Sequence, residues 1–248
     1  MNIREKWEDG WPIEIGDAKY NSSNTFFRER NNTLYAFGCS FTCPFYALDT
    51  GCPNYKVENH FIPRLAEELK LNHINKGYSG ISNETILKSF YDTQHLFKKG
   101  DIILLQTTLG NRLVFHNSII GKSIDLNGPT HQSGNTQITP EVYGKDFLEL
   151  AHKYLVLYND GNKTCDTIYQ AFPIISEWCD MKGIKIIFWA LDDYNNSPHL
   201  FFPPNGKGWL NWIQTNCSLL KDEMDTQDLH LGLKGMDTMF DLFLPKLR

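Results

Sequence analysis

Three apolar stretches constrain this chain more than anything else in it. GDIILLQTT (100–108) and GIKIIFWA (183–190) are continuous apolar runs, and TLYAFG (33–38) is aromatic and apolar up to a closing glycine. Runs of this kind fit strands covered on both faces, as in a parallel sheet flanked by helices. A shorter segment, NHINKG (72–77), reads as a further strand with a glycine stop. Helical patterns lie between these segments. HFIPRLAEELKL (60–71) carries Phe61, Ile62, Leu65, Ala66 and Leu69 at the spacing of one buried face. Residues 82–97 open on Ser82 with Glu84 in the first turn, which marks a capped helix start. A third helical stretch runs from about 166 to 182. Strand and helix alternate, so the expected class is an α/β sandwich with a central parallel sheet and right-handed crossovers.

Residues 112–165 interrupt the alternation. They are rich in Asn, Gly, Thr and His and turn helical around 140–158, and a connection of this length is usually functional or a lid. Residues 192–209 form a second loop with turn chemistry and aromatics. Residues 1–32 read as an N-terminal arm packed by Trp7, Trp11, Phe26 and Phe27. The expected organisation is this arm followed by a single domain, 33–248, with an inserted region at about 112–165.

Composition excludes several classes. With 41% hydrophobic and 21% charged residues in 248, the chain is neither disordered nor a small disulfide scaffold. Twenty-four basic against 29 acidic residues give a net charge of −5, so no basic surface for a nucleic-acid backbone is expected. No stretch approaches about 18 consecutive apolar residues, so no membrane span is expected. The opening MNIREKWEDGWPIEIG lacks the apolar core of a signal peptide, which points to a cytoplasmic protein or one released without a recognisable signal. Six Cys without a CxxC pair argue for reduced thiols and against a zinc ribbon, and Cys43 with Cys52 is the pair spaced to close a short loop in an oxidising setting. No metal and no organic cofactor are expected.

Four blocks carry chemistry. Gly38-Cys39-Ser40-Phe41-Thr42 follows the first strand, and ligands of open α/β sheets bind beyond the carboxyl ends of the strands. A serine there presents its hydroxyl where backbone N–H groups and a helix dipole stabilise an oxyanion. Asp228-Leu229-His230, near the end of the chain, places a carboxylate two residues before an imidazole that it can orient as a base. Asn75-Lys76-Gly77-Tyr78-Ser79-Gly80 follows the second strand, and Gly110-Asn111 follows the third. A glycine N–H and an asparagine amide are donors of the kind an oxyanion hole needs. Each block taken alone is also ordinary turn chemistry. Cys39 stands at a helix N-terminus, where thiols become nucleophilic. Strand alternation and the turn aim it differently from Ser40, and it reads as structural.

Together, in this order, the blocks resemble the SGNH (GDSL-like) hydrolase family. The resemblance spans residues 33–243 and implies a flavodoxin-like three-layer sandwich and an ester-bond hydrolase. It implies Ser40 as nucleophile, His230 as base and Asp228 as its partner. The oxyanion hole would comprise the N–H groups of Ser40 and Gly80, with Gly77 the alternative, and the Asn111 amide, with Thr107 or Thr108 as substitutes. The sequence departs from the family pattern in three places: Cys39 precedes the serine, Arg112 follows Asn111 where the family has Asp, and Asp228 lies two residues before His230 instead of the commoner three.

The loops supply the expected substrate contacts: Phe41, Tyr46, Arg112, His116, Tyr194 and Trp209. Aromatic platforms beside polar side chains suit sugar rings, and the loops hold few Leu or Ile for a lipid pocket. The expectation is a serine esterase that removes acetyl or other short acyl groups from a small-molecule or glycan ester. The alternatives are a lipid or acyl-thioester hydrolase, and a non-catalytic carbohydrate-binding module on the same scaffold.

Overall fold

The structure, a computed structural model, describes residues 30–44, 46–110, 112–117, 122–127, 131–132, 145–158, 161–192, 197–206 and 208–248, together with the short strands at 7–8, 11–12 and 25–26. In chain order the strands are β1 (Trp7–Glu8), β2 (Trp11–Pro12), β3 (Thr25–Phe26), β4 (Thr33–Gly38), β5 (Asn72–Gly77), β6 (Ile102–Thr107), β7 (Arg112–Asn117), β8 (Lys122–Asn127), β9 (His131–Gln132) and β10 (Lys185–Ala190). The helices are α1 (Tyr46–Asp49), α2 (Phe61–Glu68), α3 (Asn83–Thr93), α4 (Lys145–Tyr158), α5 (Gly161–Lys182), α6 (Trp209–Asn216), α7 (Leu220–Met224) and α8 (Leu233–Leu247).

The central sheet runs β10-β6-β4-β5-β3. Its first four members are parallel, and β3 adds antiparallel to the outer edge of β5. Numbered by appearance, the parallel strands lie in the order 2-1-3-4, which is the flavodoxin-like arrangement. Register brings Gly38 opposite Gly77 and Thr107 opposite Ala190, so the carboxyl ends share one rim.

Side-chain alternation splits the core into two layers. Leu34, Ala36, Leu104 and Trp189 face one side and meet Phe61, Leu65, Met239 and Phe243 of α2 and α8. Tyr35, Phe37, Ile103 and Phe188 face the other and meet Phe90 of α3 and Phe172 of α5. Burial on both faces is why these strands read as unbroken apolar runs.

Local signals place the helix starts. The Ser82 side chain accepts from the Thr85 N–H at the head of α3, and His60 caps α2 by accepting from the Ile62 N–H. Two regions differ from the sequence reading. Residues 112–132 contain an antiparallel sheet, β7-β8-β9, instead of a loop; its short strands are crowded with Asn, His and Lys, which hides their alternation. Helix α5 begins at Gly161, five residues before the expected start. Within the expected arm, β1 pairs with β2, and β3 joins the central sheet; the packing of Trp7, Trp11, Phe26 and Phe27 side chains lies outside the described residues. Cys43 and Cys52 are both buried thiols and are not joined.

Candidate active site

The turn after β4 is held from below by buried amides. Thr42 and Cys43 N–H both donate to the Cys39 carbonyl at 3.0 Å, closing a tight turn around Ser40. Gln106, in the middle of the sheet, accepts through Oε1 from the Cys39 N–H (2.9 Å) and from the Thr42 hydroxyl (2.7 Å). Asn75 of β5 donates through Nδ2 to the Thr42 carbonyl (2.8 Å), and its Oδ1 accepts from the Gly77 N–H (2.8 Å). Gly77 runs so close beneath the turn that a Cβ there would lie 2.7 Å from Cys43 N and from Thr42 C, so only glycine fits. Cys39 points into the core at 0% exposure; Ser40 is 5% exposed.

The loop before α8 brings the imidazole to the same rim. Leu220 N–H donates to the His230 carbonyl (2.8 Å), Lys221 N–H to the Asp228 carbonyl (3.0 Å) and Gly232 N–H to the Ser218 carbonyl (2.9 Å), which ties the loop to the start of α7. Asp228 Oδ1 accepts from the His230 backbone N–H (2.9 Å) and lies 2.7 Å from Nδ1. An ionised carboxylate only accepts, so Nδ1 carries the proton and the Nε2 lone pair is left facing outward. Ser40 Oγ lies 2.6 Å from that Nε2.

Burial pushes the Asp228 carboxyl up, but hydrogen bonds from the His230 side chain and backbone, attraction to His230 and a hydrogen bond from Tyr46 outweigh it and bring the group down to about 2. Two rings lie against the imidazole: Phe41 at 4.5 Å between centroids and Tyr46 at 3.8 Å. The Tyr46 hydroxyl donates to Asp228 Oδ2 at 2.8 Å.

The structure therefore brings Ser40, His230 and Asp228 into one hydrogen-bonded row, with Phe41 and Tyr46 against it. Gly80 is buried just beyond β5 with a left-handed φ of 80°. The Gly77 N–H is committed to Asn75, which leaves Gly80 of the two glycines considered as donors. Asn111 and Tyr194 lie outside the described residues, as does the side chain of His116. The Arg112 guanidinium reaches to 3.5 Å from the Ile81 carbonyl, next to Gly80. Thr107 and Thr108 are buried, and their hydroxyls have no hydrogen-bond partner among the described residues.

Trp209 corrects the expected list of substrate contacts. It is 1% exposed, packs against Trp189, Trp212 and Phe243, and donates its indole N–H to the Phe201 carbonyl at 2.7 Å. Its ring fills the core, so it offers no platform to a ligand. Conversely, Gln106 and Asn75 escape the sequence reading. The available signal is a lone amide inside an otherwise apolar or strand-like run, where a buried polar group must find a partner. Among the described residues no three His, Cys, Asp or Glu side chains converge as a metal site would require, and no helix is long and apolar enough to cross a membrane.

No protein-family model matches the chain, and no curated protein matches it. Solved structures give distant likenesses. The chain is similar to a member of the lipolytic protein G-D-S-L family from Veillonella parvula, at 12% identity and a TM-score of 0.35 over 87% of this chain and 97% of that one. It is similar to a putative lipolytic protein of G-D-S-L family from Desulfitobacterium hafniense, at 15% identity and a TM-score of 0.35 over 88% of this chain and 100% of that one. A third likeness is to a catalytic mutant of an acetylxylan esterase from Geobacillus stearothermophilus, at 13% identity and a TM-score of 0.33 over 87% and 93% of the two chains.

Proposed function

We propose that the chain is a serine esterase of the SGNH (GDSL-like) type that removes acetyl or other short acyl groups from a small-molecule or glycan ester. One observation carries the reading: Ser40 Oγ stands 2.6 Å from His230 Nε2 while Asp228 holds Nδ1 at 2.7 Å. The base is thus in hydrogen-bond reach of both the nucleophile and the orienting carboxylate.

In the proposed reaction His230 Nε2 takes the Ser40 proton as Oγ forms a bond to the ester carbonyl carbon. The carbonyl electrons move to oxygen, and the resulting oxyanion accepts from backbone N–H groups of Ser40 and Gly80 and from the Asn111 amide. The tetrahedral species collapses, the alcohol leaves with the proton from His230, and an acyl group remains on Ser40. Water, deprotonated by His230, then attacks the acyl carbon; the bond to Ser40 Oγ breaks, Oγ takes the proton back from His230, and the acid leaves. Asp228, ionised throughout, keeps Nδ1 protonated and stabilises the imidazolium.

Short acyl groups are favoured by the composition of the loops expected to line the site, which hold aromatic and polar side chains and few Leu or Ile for a long chain.

The test compares the wild-type chain with Ser40→Ala on p-nitrophenyl acetate, p-nitrophenyl palmitate and an acetylated xylan. The expected result is turnover of the two acetyl esters, with little on the palmitate and a loss of about 10³-fold or more in the variant. Unchanged turnover in the variant refutes the nucleophile, and preference for palmitate refutes the short acyl group.

A further inference from the structure

The sequence treats Tyr46 as a contact for substrate, but its surroundings give it another task. It is the first residue of α1, a single turn that follows directly on the serine turn. Its hydroxyl donates to Asp228 Oδ2, the carboxylate oxygen that His230 does not use, at 2.8 Å. Its ring lies 3.8 Å from the imidazole, tilted by 31°. One side chain thus touches both members of the Asp–His pair, and it comes from the short helix that follows the nucleophile's turn in sequence.

Resting on the reading of Ser40, His230 and Asp228 given above, we infer that Tyr46 is a positioning residue for the base. Its hydroxyl fixes the rotation of the Asp228 carboxylate, and its ring fixes the imidazole plane against Ser40. The two contacts act on the proton in opposite senses. A hydrogen bond from the phenol draws charge from the carboxylate and so weakens its hold on the imidazolium. The face of the ring attracts the imidazolium and favours the charged form. Cys43 from the serine turn, Tyr46 from α1 and Asp228 from the base's own loop are the titratable groups facing the imidazole among the described residues. Ser40, Phe41, Ala47, Leu231 and Met236 line the rest of its surroundings.

The opposed effects make the inference testable in the full chain with Tyr46→Phe and Tyr46→Leu. The first removes the hydroxyl and keeps the ring; the second removes both. For Tyr46→Phe on p-nitrophenyl acetate, kcat should fall about ten-fold with KM changed by less than about two-fold. The acid limb of kcat/KM should move up by about half a pH unit. For Tyr46→Leu, kcat should fall further and the limb should lie below that of Tyr46→Phe. The same order should appear in the imidazole titration followed by proton NMR, assigned with His230→Gln, which needs no turnover.

A merely packing role would lower the melting temperature and leave both limb and titration where they are in the wild type; that result overturns the inference. Wild-type kcat and limb in Tyr46→Phe overturn it as well. Ser40→Ala, run alongside, separates the two claims. If it retains turnover, the esterase reading has failed; if it is inactive while Tyr46→Phe behaves as wild type in both measurements, only the role of Tyr46 has failed.

Discussion

The serine turn and the histidine loop meet at one rim, yet they are held by different means. The turn around Ser40 hangs from buried side chains far away in sequence: Gln106 is 67 residues from Cys39, and Asn75 is 33 from Thr42. Both amides stand on strands of the central sheet, and Gly77 lets the sheet backbone approach the turn directly. The loop around His230 is tied mostly by partners within about fifteen residues, Asp228, Leu220, Lys221 and Ser218, with the Tyr46 hydroxyl on Asp228 and two aromatic rings pressed against it from the serine side. A group mounted on the sheet moves only if the sheet is disturbed, whereas a locally tied loop is altered without touching the core. The nucleophile's position is therefore coupled more closely to global stability than the base's.

The largest expected effect breaks the loop side alone. Asp228→Asn keeps the shape and removes the charge that fixes the Nδ1 proton. An amide can turn its NH2 towards Nδ1, which then loses its hydrogen and leaves the proton on Nε2, where it blocks proton transfer from Ser40. We expect kcat to fall by about 10³–10⁴-fold. Asp228 and His230 are partly exposed, but the depressed carboxyl of Asp228 itself contributes stability that the amide gives up, so the melting temperature should fall by only a few degrees. Steady-state kinetics and a thermal melt check both. A variant that also loses several kcal/mol of stability would show the loop to be as deeply integrated as the turn.

A smaller effect on rate, joined to a large one on stability, is expected from the turn side. Gln106→Leu deprives the Cys39 N–H and the Thr42 hydroxyl of their shared acceptor in a fully buried place. Leaving two buried donors unsatisfied costs about 2–4 kcal/mol. The cost is partly offset because Gln106 Nε2, itself without a partner among the described residues, leaves with it. Turnover should fall about 10- to 100-fold as the turn loosens. Urea unfolding and kinetics on the same sample read both. A loss of rate without loss of stability would remove the contrast between the two regions.

The same contrast explains what could be read from sequence. Three of the parallel strands, β4, β6 and β10, are legible because burial on both faces writes an unbroken apolar run; β5 is legible only by its glycine stop, and α2 and α3 because their caps and apolar spacing are local. Asp228 and His230 could be paired because two residues of separation put them on one loop. Ser40 and His230, 190 residues apart, came together only through the order of four short blocks, since nothing in local spacing links them. Gln106 and Asn75 stayed hidden because their partners are adjacent only once β4, β5 and β6 lie side by side. Trp209 was misplaced because an aromatic next to a loop looks the same whether it faces solvent or the core. Strands β7 to β9 were missed because polar residues occupy both of their faces.

The last prediction sharpens the comparison through acid. His60 caps α2 from the core: its Nδ1 accepts from the Ile62 N–H, so Nε2 carries the proton and donates to the Phe41 carbonyl at 3.3 Å. Phe41 follows Ser40 directly, so this histidine belongs to the foundation of the serine turn. Burial pushes its pKa down to about 3, with the hydrogen bond to Phe41 opposing and His73 adding to the fall; burial likewise takes His73 to about 4. Both are neutral in the folded chain, while the unfolded chain protonates them below about pH 6.5. Their contribution to stability is complete above that value and drains away as pH falls towards 4, by up to about 1.4 kcal/mol per pH unit for each histidine. Asp228, at about 2, stays ionised over this whole window, so the histidine loop keeps its carboxylate while the turn loses support. Urea midpoints at pH 7.5, 6.0 and 5.0 should fall steadily, and His60→Gln should reduce that slope by the share of one histidine. A flat profile in the wild type, or an unchanged slope in the variant, would mean that the turn does not rest on a neutral imidazole.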